Sequence, residues 1–99
     1  MPLNRGYARY VISSTVVKLS DAPAAGVVVP GNAEVALIQN VDAANILSWR
    51  DDGGDPSATE GLYLRPGETL RYDGDMSKFK MIRLAAADVN SIRIHYYSD

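Results

Sequence analysis

The sequence contains no cysteine, which excludes a disulfide framework and any thiolate-bound zinc. It has one histidine, His95, so any Ser/His/Asp arrangement would depend on that side chain. No GxSxG turn is present to hold a nucleophile, and the nearest serines, Ser91 and Ser98, share its strand. No segment approaches the roughly eighteen apolar residues of a membrane helix, and the opening "MPLNRGYARY" lacks the apolar centre of a secretory signal. The expectation is a soluble chain made in the cytoplasm. A large excess of either charge is also missing: ten Lys and Arg face twelve Asp and Glu, for a net charge of -2. That balance removes long-range attraction to phosphate backbones and anionic membranes. The expected partners are other proteins, with no nucleic acid, no membrane and no cofactor.

Helix signals are scarce too. Only "AAADV" and the region Asp75 to Phe79 have the character of single turns, so a βαβ architecture finds no crossover helix. What is present is strand signal, in a chain of 99 residues that is 46% hydrophobic and 22% charged, enough for one folded domain and too short for two. Residues 7–99 form that domain and residues 1–6 read as an N-terminal arm. Tyr7 to Leu19 predicts one long strand or two shorter ones, with Tyr10, Ile12 and Val16 sharing a side. "VVVPGN" predicts a very short strand ended by Pro30 and Gly31. "EVALIQNV" is apolar on both phases, as a strand covered on both faces would be. Ile46 to Arg50 follows as another short strand.

"GLYLRPGETLRYDGD" predicts a hairpin with Arg65, Pro66 and Gly67 at its turn and Leu62, Leu64, Leu70 and Tyr72 on its apolar side. "FKMIRL" continues in strand, with Ile82 and Leu84 in one phase. The clearest alternation is "SIRIHYYSD", in which Ile92, Ile94 and Tyr96 point one way and Arg93, His95 and Tyr97 the other. Seven or eight short strands with regular turn signals predict an all-β fold: a single small antiparallel β-sandwich, jelly-roll-like.

Among candidate sites, the acidic loop "WRDDGGDP" stands out, together with "YDGD" at Tyr72 to Asp75. Asp51, Asp52, Asp55, Asp73 and Asp75 are hard oxygen donors of the kind calcium takes, yet their spacing lacks the alternation and twelfth-position glutamate of an EF-hand. Asp and Gly are also what turns demand, so the preferred reading is a structural corner with no metal. In that reading Arg50 pairs with Asp51 or Asp52, Trp49 packs beneath, and Gly53 and Gly54 take positive φ. Carboxylate pairs among Asp51, Asp52 and Glu60 lack the walls of a substrate cleft in so small a domain, and no catalytic residue is assigned. The expectation is a protein that is not an enzyme.

The six tyrosines, Tyr7, Tyr10, Tyr63, Tyr72, Tyr96 and Tyr97, exceed what so small a core holds, so some lie at the surface with their hydroxyls in water or against a partner. An open sandwich also leaves unpaired strand edges, and only Pro30, Pro66 and scattered charges protect them in the sequence. Both arguments point to association.

The run from Trp49 to Asp75 carries a resemblance. Trp49, Arg50, Asp51, Asp52 and Gly53, then Pro56, Gly61, Leu62, Leu64, Gly67, Glu68 and Ile82, resemble the pattern of small β-proteins encoded among the virion genes of tailed bacteriophages and prophages. The likeness spans roughly residues 33–97; Gly54 is an extra residue in the pattern, and the N-terminal third does not carry it. The resemblance implies a virion protein assembled in the host cytoplasm, of the capsid decoration or cement type. Its implied partners are the major capsid protein or other virion proteins, with self-association as an oligomer. On that reading Tyr7, Tyr10, Trp49 and Tyr97 are the interface candidates, and Arg50, Asp51, Asp52 and Gly53 the structural loop. The competing reading is a tail or fibre module that recognises host glycan through exposed Trp49 and Tyr63.

Overall fold

Ile92, Ile94 and Tyr96 are fully buried while Arg93 and His95 are exposed, so the C-terminal alternation predicted from sequence sets one strand with its apolar phase inward. In the computed structural model, which describes residues 3–12, 15–41, 45–57, 59–84 and 90–98, this is β9, Asn90–Ser98, third of five strands in the larger sheet. Its neighbours are β1, Leu3–Ile12, and β4, Val35–Asn40. The edges of that sheet are β3, Ala25–Gly26, and β7, Thr69–Tyr72. The smaller sheet runs β2, Val17–Lys18, then β8, Lys80–Arg83, then β5, Leu47–Arg50, then β6, Leu62–Leu64. Every pairing is antiparallel. The described residues contain no α-helix, only a 3₁₀ turn at Met76–Lys78 within the predicted Asp75 to Phe79 region.

The pairing order identifies the topology. β1 pairs β9, β2 pairs β8, β4 pairs β7 and β5 pairs β6, so the chain is one nested antiparallel ribbon folded over on itself. With β3 set aside, the sheet orders β1-β9-β4-β7 and β2-β8-β5-β6 are those of the double-sheet jelly roll, two Greek keys closed face to face. The core between the sheets is built from Ala8, Tyr10, Ile12, Ile38, Ile92, Ile94 and Tyr96 on one side and Leu47, Leu64, Phe79 and Met81 on the other.

Nesting also explains where local reading of the sequence fails. β6 and β7 are not a hairpin; they belong to opposite sheets, because β6 closes on β5 and β7 on β4. Buried Asn40 holds that crossing: its side-chain amide donates to the carbonyls of Leu64 and Asn45, each at 3.0 Å. Its backbone carbonyl accepts from Gly67 N at 2.8 Å and its own N–H donates to Glu68 O at 3.1 Å. Leu62, expected on the apolar side, is 62% exposed.

Other expectations shift in the same way. Tyr7 to Leu19 divides into β1 and β2, with Val16 half-buried between them. Residues 3–6, expected as an arm, continue β1 against β9; residues 1 and 2, like the turn expected at 85–89, lie outside the described residues. The short strand expected at "VVVPGN" forms earlier, at Ala25–Gly26. Gly26 has φ 88°, and a Cβ there would sit on the Tyr7 carbonyl, so only glycine lets the chain close on β1. β4 is covered on one face only: Ala36, Ile38 and Asn40 are buried, whereas Val35 and Leu37 are half-buried on the outer face. In β8, Ile82 and Leu84 do share a phase, but it is Met81 and Arg83 that point inward and are buried.

The edges are protected by length: β2 and β3 have two residues each, β6 three and β7 four. Short edge strands offer little ladder to a foreign strand, so the argument for association from open edges loses its force.

Three tyrosines belong to this core. The Tyr10 hydroxyl donates to Leu19 O at 2.6 Å, and burial pushes its pKa up, with Asp21 adding to the rise. Tyr72 shares its proton between Asp51 Oδ2 at 3.0 Å and Asp75 O at 2.9 Å, and burial followed by Asp51 raises it further. The Tyr96 hydroxyl is buried beside that of Tyr10; burial first, then this neighbour, pushes it up. Because the unfolded tyrosines ionise first, near the ordinary value of about 10, their contribution is intact below that pH and lost as pH climbs toward the raised folded values. The urea midpoint is expected to hold through mildly alkaline pH and then fall steeply above pH ~10. A midpoint that stays flat up to pH ~11.5 would show that these hydroxyls ionise without unfolding.

Candidate functional site

The corner after Trp49 follows from the residue types. Arg50 leaves β5 and folds back over the loop, where Nε donates to Asp52 Oδ1 at 2.9 Å and Nη2 to Asp52 Oδ2 at 2.5 Å, a bidentate pair. Gly53 takes φ 89°. Gly54 does not have positive φ; its role is room, because a Cβ there would lie 2.6 Å from the Arg50 guanidinium. Trp49 is half-buried, stacked on Phe79 at 5.1 Å and edge-on to Tyr72 at 6.0 Å.

Each aspartate considered for calcium has its own partner. Asp52 holds Arg50, Asp55 pairs with Lys80 at 3.0 Å, Asp73 with Arg71 at 3.0 Å, Asp51 accepts from Tyr72 and Asp75 from Ser77. Among the described residues no group of three or more His, Asp or Glu is placed to hold a metal ion.

Arg50 and the Gly54 N–H hold the Asp52 carboxyl at about 2, below the usual carboxylate range. A depressed folded pKa contributes stability that is present above the unfolded value near 4 and lost as pH falls through about 2. Asp52→Asn is expected to cost at pH 7 no more than an exposed ion pair contributes, and to flatten the acid limb between pH ~4 and ~2 by that same small amount, because the stability lost on protonation is the stability the charged pair supplied. Thermal melts across that range check it, and an unchanged acid limb would contradict the pairing.

The interface candidates separate. Tyr10 is 2% exposed with its hydroxyl committed to Leu19, so it is a core residue and presents nothing to a partner. Tyr72 and Tyr96 are buried likewise. Tyr7, 36% exposed, and half-buried Tyr97 lie on the outer face of the larger sheet, where they flank His95: ring centroids are 5.1 Å from Tyr7 and 6.4 Å to Tyr97. The Asn4 amide donates to His95 Nδ1 at 2.9 Å and fixes the ring.

Register assembles the rest of this face. Tyr7, His95, Leu37 and Arg71 form one row across β1, β9, β4 and β7, and Arg9, Arg93, Gln39 and Thr69 the next. Shallow grooves of ≈ 400 and ≈ 260 Å³ lie along it, meeting at Leu37. Val11, 44% exposed, extends the apolar area. Sequence reading finds Tyr7 and Tyr97, with Arg93 and His95 on the phase of Tyr97, but misses Val35, Leu37 and Arg9. The available signal was the outward phase of β4 and β9 combined, which becomes visible only once the two strands are known to pair.

A concavity of ≈ 580 Å³ opens between the edge strands β6 and β7 and is lined by Trp49, Leu62, Tyr63, Glu68 and Leu70 among others. Tyr63 is exposed there as expected, whereas Trp49 offers only part of its ring. Comparison of the chain with protein-family models, curated proteins and solved structures found no match.

Proposed function

We propose that this chain is a structural protein of a tailed-phage virion, a decoration or cement protein that docks on the capsid exterior through the outer face of its larger sheet. The virion assignment rests on the resemblance of the Trp49 to Ile82 pattern. The docking face rests on one observation: Tyr7, Val35, Leu37, His95 and Tyr97 occupy neighbouring outward positions of β1, β4 and β9. Monomeric proteins seldom leave a sheet face of this character uncovered. Binding confined to the assembled shell stabilises that shell by linkage, and a small gain per copy is multiplied by the number of sites. No side chain is assigned a catalytic role.

Cryo-electron microscopy of particles produced by the encoding genome tests the reading. Density for the chain on the shell supports it, as does earlier heat-induced DNA release from particles lacking the protein. Particles without the chain, or equally stable without it, overturn it.

The groove beside Trp49 and Tyr63 favours a second reading, a tail-associated module that recognises host-surface glycan. Aromatic rings beside a carboxylate, here Glu68, suit sugar binding. Glycan-array binding abolished by Tyr63→Ala would support it, and absence of binding to any glycan would remove it. Jelly rolls serve both capsid and lectin domains, so the fold does not choose between the two readings.

A further inference from the structure

Arg9 and Arg93 stand directly opposite each other on β1 and β9, side chains outward. Like charges in directly paired positions destabilise a sheet. Among the described residues no ion pair offsets it: those present are Arg50 with Asp52, Arg71 with Asp73 and Lys80 with Asp55, and none reaches Arg9 or Arg93. The unfavourable pair is set on a face that also exposes aromatic and apolar side chains.

We infer that Arg9 and Arg93 form a carboxylate clamp for an acidic segment of a partner protein, laid across the outer face of the larger sheet. This rests on the preceding reading in taking the partner to be a protein, and it names the chemistry of that partner's surface. Two guanidinium groups on neighbouring strands match carboxylates bidentately. The groove lined by Arg93, Gln39, Thr69, His95, Tyr7 and Leu37 places polar donors beside an apolar floor, which suits a strand of alternating acidic and apolar residues.

Charge argues against other occupants. In a second copy of this chain the densest source of carboxylate is the acidic corner, and there Asp51, Asp52, Asp55, Asp73 and Asp75 are already held within the fold. Nucleic acid needs a longer basic track than two free arginines on a chain of net charge -2.

The test is titration of the isotope-labelled full chain with poly-L-glutamate, watched by amide NMR and repeated with an oligothymidylate of equal charge. The expected result is shifts centred on Arg9, Arg93, Gln39 and His95, weakening several-fold when salt rises from about 20 to 200 mM. In the double variant Arg9→Gln, Arg93→Gln, binding is expected to fall at least tenfold while Tm rises by a few degrees, because the repulsion is gone. A folded double variant that binds polyglutamate equally well overturns the inference, as does a lowered Tm or tighter binding of the oligothymidylate. If particles carry the chain but the double variant still attaches, the clamp fails and the virion reading stands. If particles lack the chain, that reading fails and the polyglutamate titration still decides the clamp.

Discussion

Phe79→Ala is expected to lower the free energy of unfolding by about 3–5 kcal/mol, the range for deleting a buried aromatic ring. Phe79 is 1% exposed and stands between Trp49, stacked on it at 5.1 Å, and Tyr72, tilted at 4.8 Å. It follows the 3₁₀ turn, whose N-cap Asp75 accepts from Ser77 N, and leads into β8. Removing the ring leaves a void where the smaller sheet meets the corner loop, and the surrounding strands, held by their ladders, collapse into it only partly. The chain has a single tryptophan, so Trp49 fluorescence reports on both the site and the global transition. Urea denaturation of the two proteins measures the loss. A cost under about 1 kcal/mol would mean that the aromatic cluster does not hold the two sheets at this end.

Arg83→Met is expected to act in the opposite direction. Arg83 points inward from β8 and is 4% exposed, and its Nε and Nη1 are buried with no hydrogen-bond partner. A buried cation without compensation carries a desolvation cost that its alkyl stem only partly offsets. Methionine keeps most of the stem's volume and removes the charge; even buried ion pairs, whose charges are compensated, are often stabilised by about 1–4 kcal/mol when apolar residues replace them. The thermal midpoint of the variant should therefore rise by several degrees for a domain of this length. A lowered midpoint would show that the guanidinium is compensated in solution and would refute this account.

Parts of this fold are legible in the sequence. The phase of β9 is, because Ile92, Ile94 and Tyr96 alternate with polar residues without interruption, and period two has one physical meaning in a half-buried strand. The corner at Arg50 is readable as far as a pairing with Asp51 or Asp52, because the partners are one or two residues away; that Asp52 takes Arg50 and Asp51 takes Tyr72 is not. Arg83 is not legible either. Its inward phase contradicts the apolar phase of Ile82 and Leu84, and local pattern favours the apolar one. The outer face of the larger sheet was only half visible: Tyr7 and Tyr97 stood out as surplus aromatics, whereas Leu37 looked like core because "EVALIQNV" is apolar on both phases. Tyr10 was misjudged for the same reason. Six tyrosines signal a surplus without saying which are surplus, and burial is a property of the pairing.

By itself the sequence determined that this is a small all-β domain with an acidic corner and without cysteine chemistry. Those properties depend on composition and on neighbours within a few residues. Only the tertiary structure decided that the strands nest as a jelly roll, that β6 and β7 part into different sheets, and that Arg9 meets Arg93 beside an aromatic face. The physical reason is that strand pairing is non-local: residue 9 and residue 93 acquire a relation only when the chain has closed, and no local propensity encodes it.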